Sequence, residues 1–443
     1  MKRVRSLARF VILYLALSLL KPDPNNPRRH SDQQIKKIAR SIETFGFVVP
    51  ILVDQNNVIV AGHGRYLAAQ ILKMAEVPVI SLEHLNEAKI KALRIADNRL
   101  TEISEWNDEL LAETLKDLSN SELDFSLDVT GFSMPEIDFR IEGIAASHTP
   151  DPVDNIPEIT ESVAISKVGD LWQLGRHYIL CGDALAPDSY SRLMDGKLAA
   201  MVFSDPPYNQ KISGHVSGKG KVRHREFIMA TGEMTRDEFA DFLVDGCKLM
   251  AANSVDGAIH FICMDWPHAG DLLSAGQSAY SQLKNICVWV KNNGGMGSLY
   301  RSRHEFIFVF KNGTAPHHNN IELGRHGRNR TNVWEYSGAN GFGRQSDEGD
   351  LSVLHPTVKP VRMIADAMLD CSGRDDIVLD PFLGSGSTLI AAERVGRTCR
   401  GIELDPIYVD VAIRRWQAYT GDSAIKTGTD KRFNELAAKV DHG

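Results

Sequence analysis

Two adjacent prolines, Pro206 and Pro207, follow an apolar run, Leu198-Ala-Ala-Met-Val-Phe203, and dictate where it stops. Each lacks a backbone N–H and holds its own φ, so a strand inside a sheet cannot continue through the pair. The run reads as a buried strand. Ser204-Asp205-Pro206-Pro207-Tyr208-Asn209 then stands at one end of a sheet. It offers a carboxylate, rigid backbone carbonyls and an aromatic ring. Those groups can hold a planar, amino-bearing base, with acceptors for its NH2 and a ring to stack on it. A strand-ending turn with a core tyrosine would use the same residues.

A second strand follows about 175 residues later, Ile377-Val-Leu-Asp380. It runs into the glycine turn Pro381-Phe-Leu-Gly384-Ser-Gly386-Ser-Thr388, a helix over Leu389–Val395, and a strand over Thr398–Leu404 that carries Glu403. Strand, glycine turn, helix, strand and acidic residue make the mononucleotide-binding βαβ pattern. A carboxylate about twenty residues past the turn can accept from both ribose hydroxyls. The turn is Phe-x-Gly-x-Gly and lacks the three-glycine dinucleotide fingerprint, which argues against a nicotinamide dehydrogenase.

Asp380-Pro-Phe-Leu-Gly-Ser-Gly386 together with Ser204-Asp-Pro-Pro-Tyr208 resembles the amino-methylating DNA methyltransferases, over roughly Val163 to Tyr419. The catalytic motif precedes the cofactor motif, as in the family's permuted β group, whose target-recognition region lies between them. His355-Pro-Thr357-Val-Lys359-Pro360, Asn332-Val-Trp-Glu335 and Tyr300-Arg-Ser-Arg-His-Glu305 are similar to the same group. The resemblance implies an α/β, Rossmann-like sheet and S-adenosylmethionine as cofactor. It implies that Phe382, Gly384 and Gly386 line the methionine and ribose part of the cofactor. Glu403 would take the ribose hydroxyls, Asp183 the adenine amino group, and Thr357 and Lys359 would lie near the methionine end. Asp205, Pro206, Pro207 and Tyr208 would be catalytic, and no metal is implied. The Asp-Pro-Pro-Tyr form favours adenine-N6; cytosine-N4 enzymes more often carry Ser in place of Asp, and Ser204 keeps that alternative open. No endonuclease motif is visible, which suits a solitary or phage-type methylase of the restriction-modification kind.

The first hundred residues read as a separate α+β unit. Ser31 with Gln34 opens a helix whose Ile35, Ile38, Ile42 and Phe45 fall at helical spacing, and Gly46 stops it. Strands over Val48–Val53 and Val58–Ala61 precede the turn Gly62-His-Gly-Arg65, a helix through Leu72, a strand near Pro78–Ile80 and a helix over Asn86–Leu100. The stretch Ala61-Gly-His-Gly-Arg-Tyr-Leu-Ala-Ala69 resembles the N-terminal, nuclease-like domain of the ParB family, shared with sulfiredoxins. There the turn cradles nucleotide phosphates, as glycine amides at a helix start and an arginine fork can. Members with a double-arginine turn bind CTP; this turn has Arg65 alone. No cysteine stands in it, so sulfiredoxin chemistry is excluded. The bland reading of the turn is a structural one in a DNA- or protein-docking module, and the non-enzyme alternative for the chain is a ParB-like DNA-binding module with an inactive methylase half. Lys2, Arg3 and Arg5 before the apolar run Phe10–Leu20 superficially resemble a signal peptide, but the run is too short to span a bilayer. It is expected to be a first strand of this domain.

The formal charge of −7 is uneven: Asp97 to Glu161 holds 17 acidic and 3 basic residues, or −14, which leaves +7 for the rest. Charge therefore permits a nucleic-acid partner. The six cysteines are scattered with no C-x-x-C pair, which suits a reducing cytosol without disulfides or zinc. The expected domains are 1–103, an acidic helix and linker over 104–162, a methyltransferase domain over 163–420 with target recognition roughly over 211–355, and a tail over 421–443. The polar loop Lys211–Arg225 is expected to close over the site or grip DNA. The irregular stretch Pro316–His355, with Arg325, Arg328, Arg330 and Arg344 among Trp334, Tyr336 and Phe342, fits a nucleic-acid surface. Double-stranded DNA is the expected partner, with a nucleotide at Gly62–Arg65 and a homodimer as secondary expectations. A cytoplasmic location and no membrane contact are expected.

Overall fold

The computed structural model describes residues 10–119, 121, 123–144, 152–154, 164–209, 232–291, 299–321, 323, 330–336, 358–429 and 431–440. The chain divides into two compact units, Met1–Ala146 and Ser147–Gly443. Among the described residues no helix is long and apolar enough to cross a membrane.

The first unit is built from β1 (Leu13–Ala16), α1 (Asp32–Phe45), β2 (Ile51–Val53), β3 (Ile59–Ala61), α2 (His63–Ile71), β4 (Glu76–Ser81), α3 (Glu87–Glu102), α4 (Asp108–Ser119) and α5 (Met134–Ile144). The sheet order is β1-β4-β2-β3. The apolar N-terminal run does enter this sheet: Leu13 stands opposite Val79 across an antiparallel pair. Only four of its residues are strand, and Leu17–Leu19 form a 3-10 turn. At α1 the Ser31 hydroxyl accepts from the Gln34 amide at 3.2 Å, a cap that contributes about 1 kcal/mol. Gly46 ends the helix with a φ of +79°. Ile35 and Ala39 bury the inner face of α1 against Ala68 of α2.

Beyond α4 the structure departs from the expected linker. A 3-10 turn (Leu127–Thr130) and α5 fold back so that Leu115, Leu127 and Ile137 make a core of their own. The acidic composition and the Gly/Pro punctuation hid this. Gly131 only turns the chain, with a φ of +94°. Pro135 lies in the first turn of α5, where a missing N–H costs no helical bond.

The second unit comprises β5 (Leu171–Leu174), β6 (His177–Cys181), α6 (Pro187–Met194), β7 (Ala199–Ser204), α7 (Arg236–Ala252), β8 (Ser254–Met264), α8 (Ala269–Ala279), β9 (Gln282–Val290), β10 (His304–Lys311), β11 (Val333–Glu335), α9 (Val361–Cys371), β12 (Ile377–Asp380), α10 (Ser387–Arg394), β13 (Thr398–Glu403), α11 (Pro406–Thr420), β14 (Ile425–Lys426) and α12 (Phe433–Val440). They form one sheet in the order β11-β9-β10-β8-β7-β12-β13-β6-β5-β14. The five central strands, β8 through β6, run parallel. From β7 the chain moves outward to β8, and from β12 it moves the opposite way to β13. The gap between β7 and β12 is therefore a topological switch point, the place where α/β sheets bind ligands beyond their strands' carboxyl ends. Both sequence motifs end there. Glycine and proline stop each strand at the same edge, while Met201, Phe203, Val378 and Leu379 are fully buried beneath it.

Two readings of the second unit are corrected. The stretch Pro316–His355 contains β11, parallel to β9, and its described aromatic residues Trp334 and Tyr336 pack inward. Trp334 is buried against Phe261, and the Tyr336 hydroxyl donates to Asp366 at 2.6 Å. Arg330 pairs with Asp370 at 2.8 Å. These three stitch β11 to α9 rather than forming a nucleic-acid surface. Arg325, Arg328, Phe342 and Arg344 lie outside the described residues. The tail over 421–443 is also structured as far as Val440. β14 pairs with β5, and Phe433 is buried 5.3 Å from the Trp172 ring. Trp172 would otherwise expose a large apolar face, which explains why the tail folds back.

Candidate active site

One crevice lies over the switch point. Asp205 to Tyr208, the turn Pro381–Ser385, Glu403 and Asp405 all line it, so the two motifs that are far apart in sequence share a single site. The Pro-Pro pair stops β7 and delivers Asp205 to the rim. The glycine turn is forced: Gly384 and Gly386 have φ values of +54° and +86°, and a Cβ on Gly386 would lie 2.9 Å from the Cβ of Ala412. Only glycine meets both conditions without strain. Gly386 caps α10, and Phe382 packs beside Phe242.

Glu403 is held rigidly. It accepts from the Gly384 amide through Oε2 and from the Asp405 amide through Oε1, each at 2.8 Å. Burial pushes its carboxyl up to about 7, against the pull of these amides. Asp380 also faces the crevice; it accepts from the Phe382 amide at 3.1 Å, and burial pushes it up to about 7 as well. The sequence reading placed Asp380 at the strand end and at the head of the family motif without assigning it a role. Asp183 accepts from the Leu185 amide at 2.8 Å in a local turn, and Ala184, not Asp183, lines the crevice. Asp183 thus stands beside the site and braces its wall. Thr357 and the Lys211–Arg225 loop lie outside the described residues.

Lys359 was expected beside the cofactor's methionine end, and it does line the crevice. Its ammonium, however, contacts the catalytic motif: Nζ lies 2.6 Å from Asp205 Oδ2 and 3.2 Å from the Tyr208 hydroxyl. That hydroxyl donates to Asp205 Oδ1 at 2.6 Å. Both Asp205 oxygens are engaged, yet each keeps a second lone pair. Behind them, Glu305 at the start of β10 accepts from Lys359 at 3.0 Å and from Lys291. The sequence reading matched the segment holding Glu305 to the family without assigning it a role. A charged residue opening the apolar strand Phe306–Phe310 was the available signal. Lys291 carried none.

The glycine cradle, the fixed Glu403 and the depth of the crevice fit an adenosyl cofactor. Phe382, Gly384 and Glu403 would hold it, and it would supply an electrophilic methyl group. The sequence pattern of the DNA methylase family matches residues 199–414, and that of the ParB N-terminal domain matches residues 3–102. The chain joins a ParB-type domain to an N6/N4 DNA methylase domain. Its second unit is similar to DNA methylases. A third pattern, the ParB-methyltransferase HTH domain, covers residues 109–168, where α4 and α5 stand in place of the expected linker.

Among similar proteins, the ParB-like nuclease domain-containing protein YnaK of Escherichia coli is 45% identical over 76 residues, 17% of this chain and 87% of that one. The type II methyltransferase M.HinfI of Haemophilus influenzae is 26% identical over 235 residues, 48% of this chain and 62% of that enzyme. The solved M1.HpyAVI–SAM complex aligns with 54% of this chain and 97% of its own at 18% identity, with a TM-score of 0.38.

Proposed function

We propose that the chain methylates the N6 amino group of adenine in double-stranded DNA. The observation that carries this reading is the Asp205 carboxylate at the mouth of the crevice that holds the glycine turn and Glu403. An exocyclic NH2 conjugated to its ring is a weak nucleophile, because its lone pair is delocalised. Asp205 and the Pro206 carbonyl each accept one N–H and draw the nitrogen towards sp3, so that its lone pair is free to attack. This is catalysis by positioning and electrostatics. The amino group is out of reach inside a duplex, so the base is flipped out and stacked on Tyr208.

Cytosine-N4 is the second reading, and it draws on Ser204 in this motif. Ser204 is fully buried in β7, so the side chain available to an amino group is the Asp205 carboxylate, which favours adenine. Purified protein incubated with labelled S-adenosylmethionine and DNA, followed by nucleoside analysis, tests the reading. N6-methyladenine supports it, N4-methylcytosine replaces it with the second reading, and transfer to neither leaves a DNA-binding module.

In the first unit a nucleotide phosphate at the Gly62–Arg65 turn fits the same resemblance. Arg65 Nε is buried there without a hydrogen-bond partner, beside His30 and Arg28 in one hollow. Calorimetric titration with CTP tests it, and a flat titration removes it.

A further inference from the structure

Four charged side chains converge on the rim of the crevice, and only Asp205 belongs to the Asp-Pro-Pro-Tyr motif. Lys359 Nζ bridges Asp205 Oδ2 at 2.6 Å and Glu305 Oε2 at 3.0 Å. The Tyr208 hydroxyl lies between the same carboxylates, 2.6 Å from Asp205 and 3.2 Å from Glu305. Lys291, from the end of β9, closes the cluster on Glu305. The Lys359 ammonium lies 5.4 Å from the centre of the Tyr208 ring, and Lys291 lies 4.9 Å from that of Trp289. The side chains of Lys359 and Glu305 are 3% and 9% exposed, so this is no solvated surface pair.

Two carboxylates this close, in a dry site, cannot both stay ionised without a cation between them; one takes a proton. Lys359 occupies that position. A lysine paired with Asp205 alone would hold the carboxylate tightly and compete with an incoming amino group. Glu305 shares the ammonium and so weakens that hold, and Lys291 balances the charge of Glu305.

We propose that Lys359 and Glu305 are positioning residues for the methyl-transfer reaction. Lys359 keeps Asp205 ionised and aimed into the crevice, and Glu305 restrains Lys359 so that Asp205 can accept the amino group. This rests on the reading of Asp205 as the amino-group acceptor.

The other groups facing the cluster do not reverse this logic. Tyr208 and the Cys263 thiol of β8 are pushed well up by burial and stay neutral. Asp265, just past β8, faces Glu305 and is raised by burial. Asp380 of β12 and Glu403 of β13, which line the same crevice as Asp205, are each pushed up to about 7 by burial. Burial raises Asp205 itself, Lys359 pulls it down, and Glu305 pushes it up.

The test is a carboxyl-carbon NMR titration of the full-length protein labelled at aspartate, with Asp205→Asn and Asp380→Asn assigning their signals. The acid limb of kcat/KM for methyl transfer is measured alongside. Lys359→Met is expected to move the Asp205 titration up by about 1–3 units, and Glu305→Gln to move it down by about one unit. The acid limb should follow in both, while Glu305→Gln binds S-adenosylmethionine as the wild type does. Opposite shifts support the proposal; shifts in the same direction, or none, overturn it. If Lys359→Met does not fold, the near-isosteric Glu305→Gln decides alone by the direction of its shift. If the wild type transfers no methyl group, the functional reading fails, and the NMR titration still decides the charge coupling.

Discussion

The chain uses one backbone device twice. In each unit the chain leaving a strand reaches a left-handed glycine that caps a short helix without any side-chain cap: Gly62 (φ +100°) directly after β3 and before α2, and Gly386 (φ +86°) at the end of the turn between β12 and α10. Both turns aim backbone amides at whatever lies in front of the helix. Their surroundings differ. In front of Gly62 lie Arg65, His30 and Arg28, with Asp97 as the acidic neighbour. The crevice beside the second turn is largely apolar, and its carboxylates Asp205, Asp380, Glu403 and Asp405 outnumber the lysine Lys359. A glycine turn therefore does not name its ligand. The first turn is suited to an anion, and the second to a ligand with hydroxyl and amino donors.

The sharpest break of this comparison is Asp205→Ala. It removes the acceptor without touching the glycine turn, so transfer should fall at least about a hundredfold while S-adenosylmethionine binding persists. Turnover at the wild-type rate would remove the mechanism. Glu403→Ala comes next. Losing a charged hydrogen-bonding group should weaken cofactor binding by about ten- to a hundredfold, read by calorimetry; CTP titration of the first unit should not change.

The two glycines can then be set against each other. Gly386→Ala meets the Ala412 Cβ at 2.9 Å and its Cα at 3.2 Å, whereas Gly62→Ala meets only the tip of the Arg65 side chain at 3.0 Å. Both carry left-handed strain of about 1–2 kcal/mol. Gly386→Ala adds a backbone clash, so its unit should show the larger fall in Tm by scanning calorimetry. Equal losses would mean that strain alone distinguishes these sites from ordinary turns.

The smallest expected effect is in the pH dependence. Burial raises Asp380 to about 7, so the folded state binds its proton more tightly than the unfolded chain does. That contribution is complete below the ordinary carboxylate range, near pH 4, and is lost as pH rises towards about 7. Asp380→Asn keeps an acceptor for the Phe382 amide and removes the titration. It should flatten this fall and raise Tm at pH 8 by a few degrees, roughly 2–4 °C per kcal/mol recovered. An unchanged pH profile would assign the fall to another group.

How much was legible in sequence followed the range of the interaction involved. The caps of α1 and α3, the positions of β7 and β12, and the exact span of α9 follow from local signals: Ser31, Asn86, the Pro-Pro pair, and apolar periodicity. Both motifs were legible because proline and glycine restrict the backbone wherever they stand. α5 and β14 were not, since each is stabilised by burying residues such as Ile137 or Phe433 against partners elsewhere in the chain. Trp334 and Arg330 looked like a nucleic-acid surface because composition does not tell an inward aromatic from an outward one.

By itself the sequence determined that a strand ends at Asp205, that another ends in a glycine cradle, and that Glu403 follows about twenty residues on. Covalent geometry and hydrogen-bonding capacity are local properties. Only the tertiary structure decided that Lys359, Glu305 and Lys291 meet at the Asp205 carboxylate. Charges separated by many residues interact strongly only when folding brings them within a few ångströms and removes the water between them.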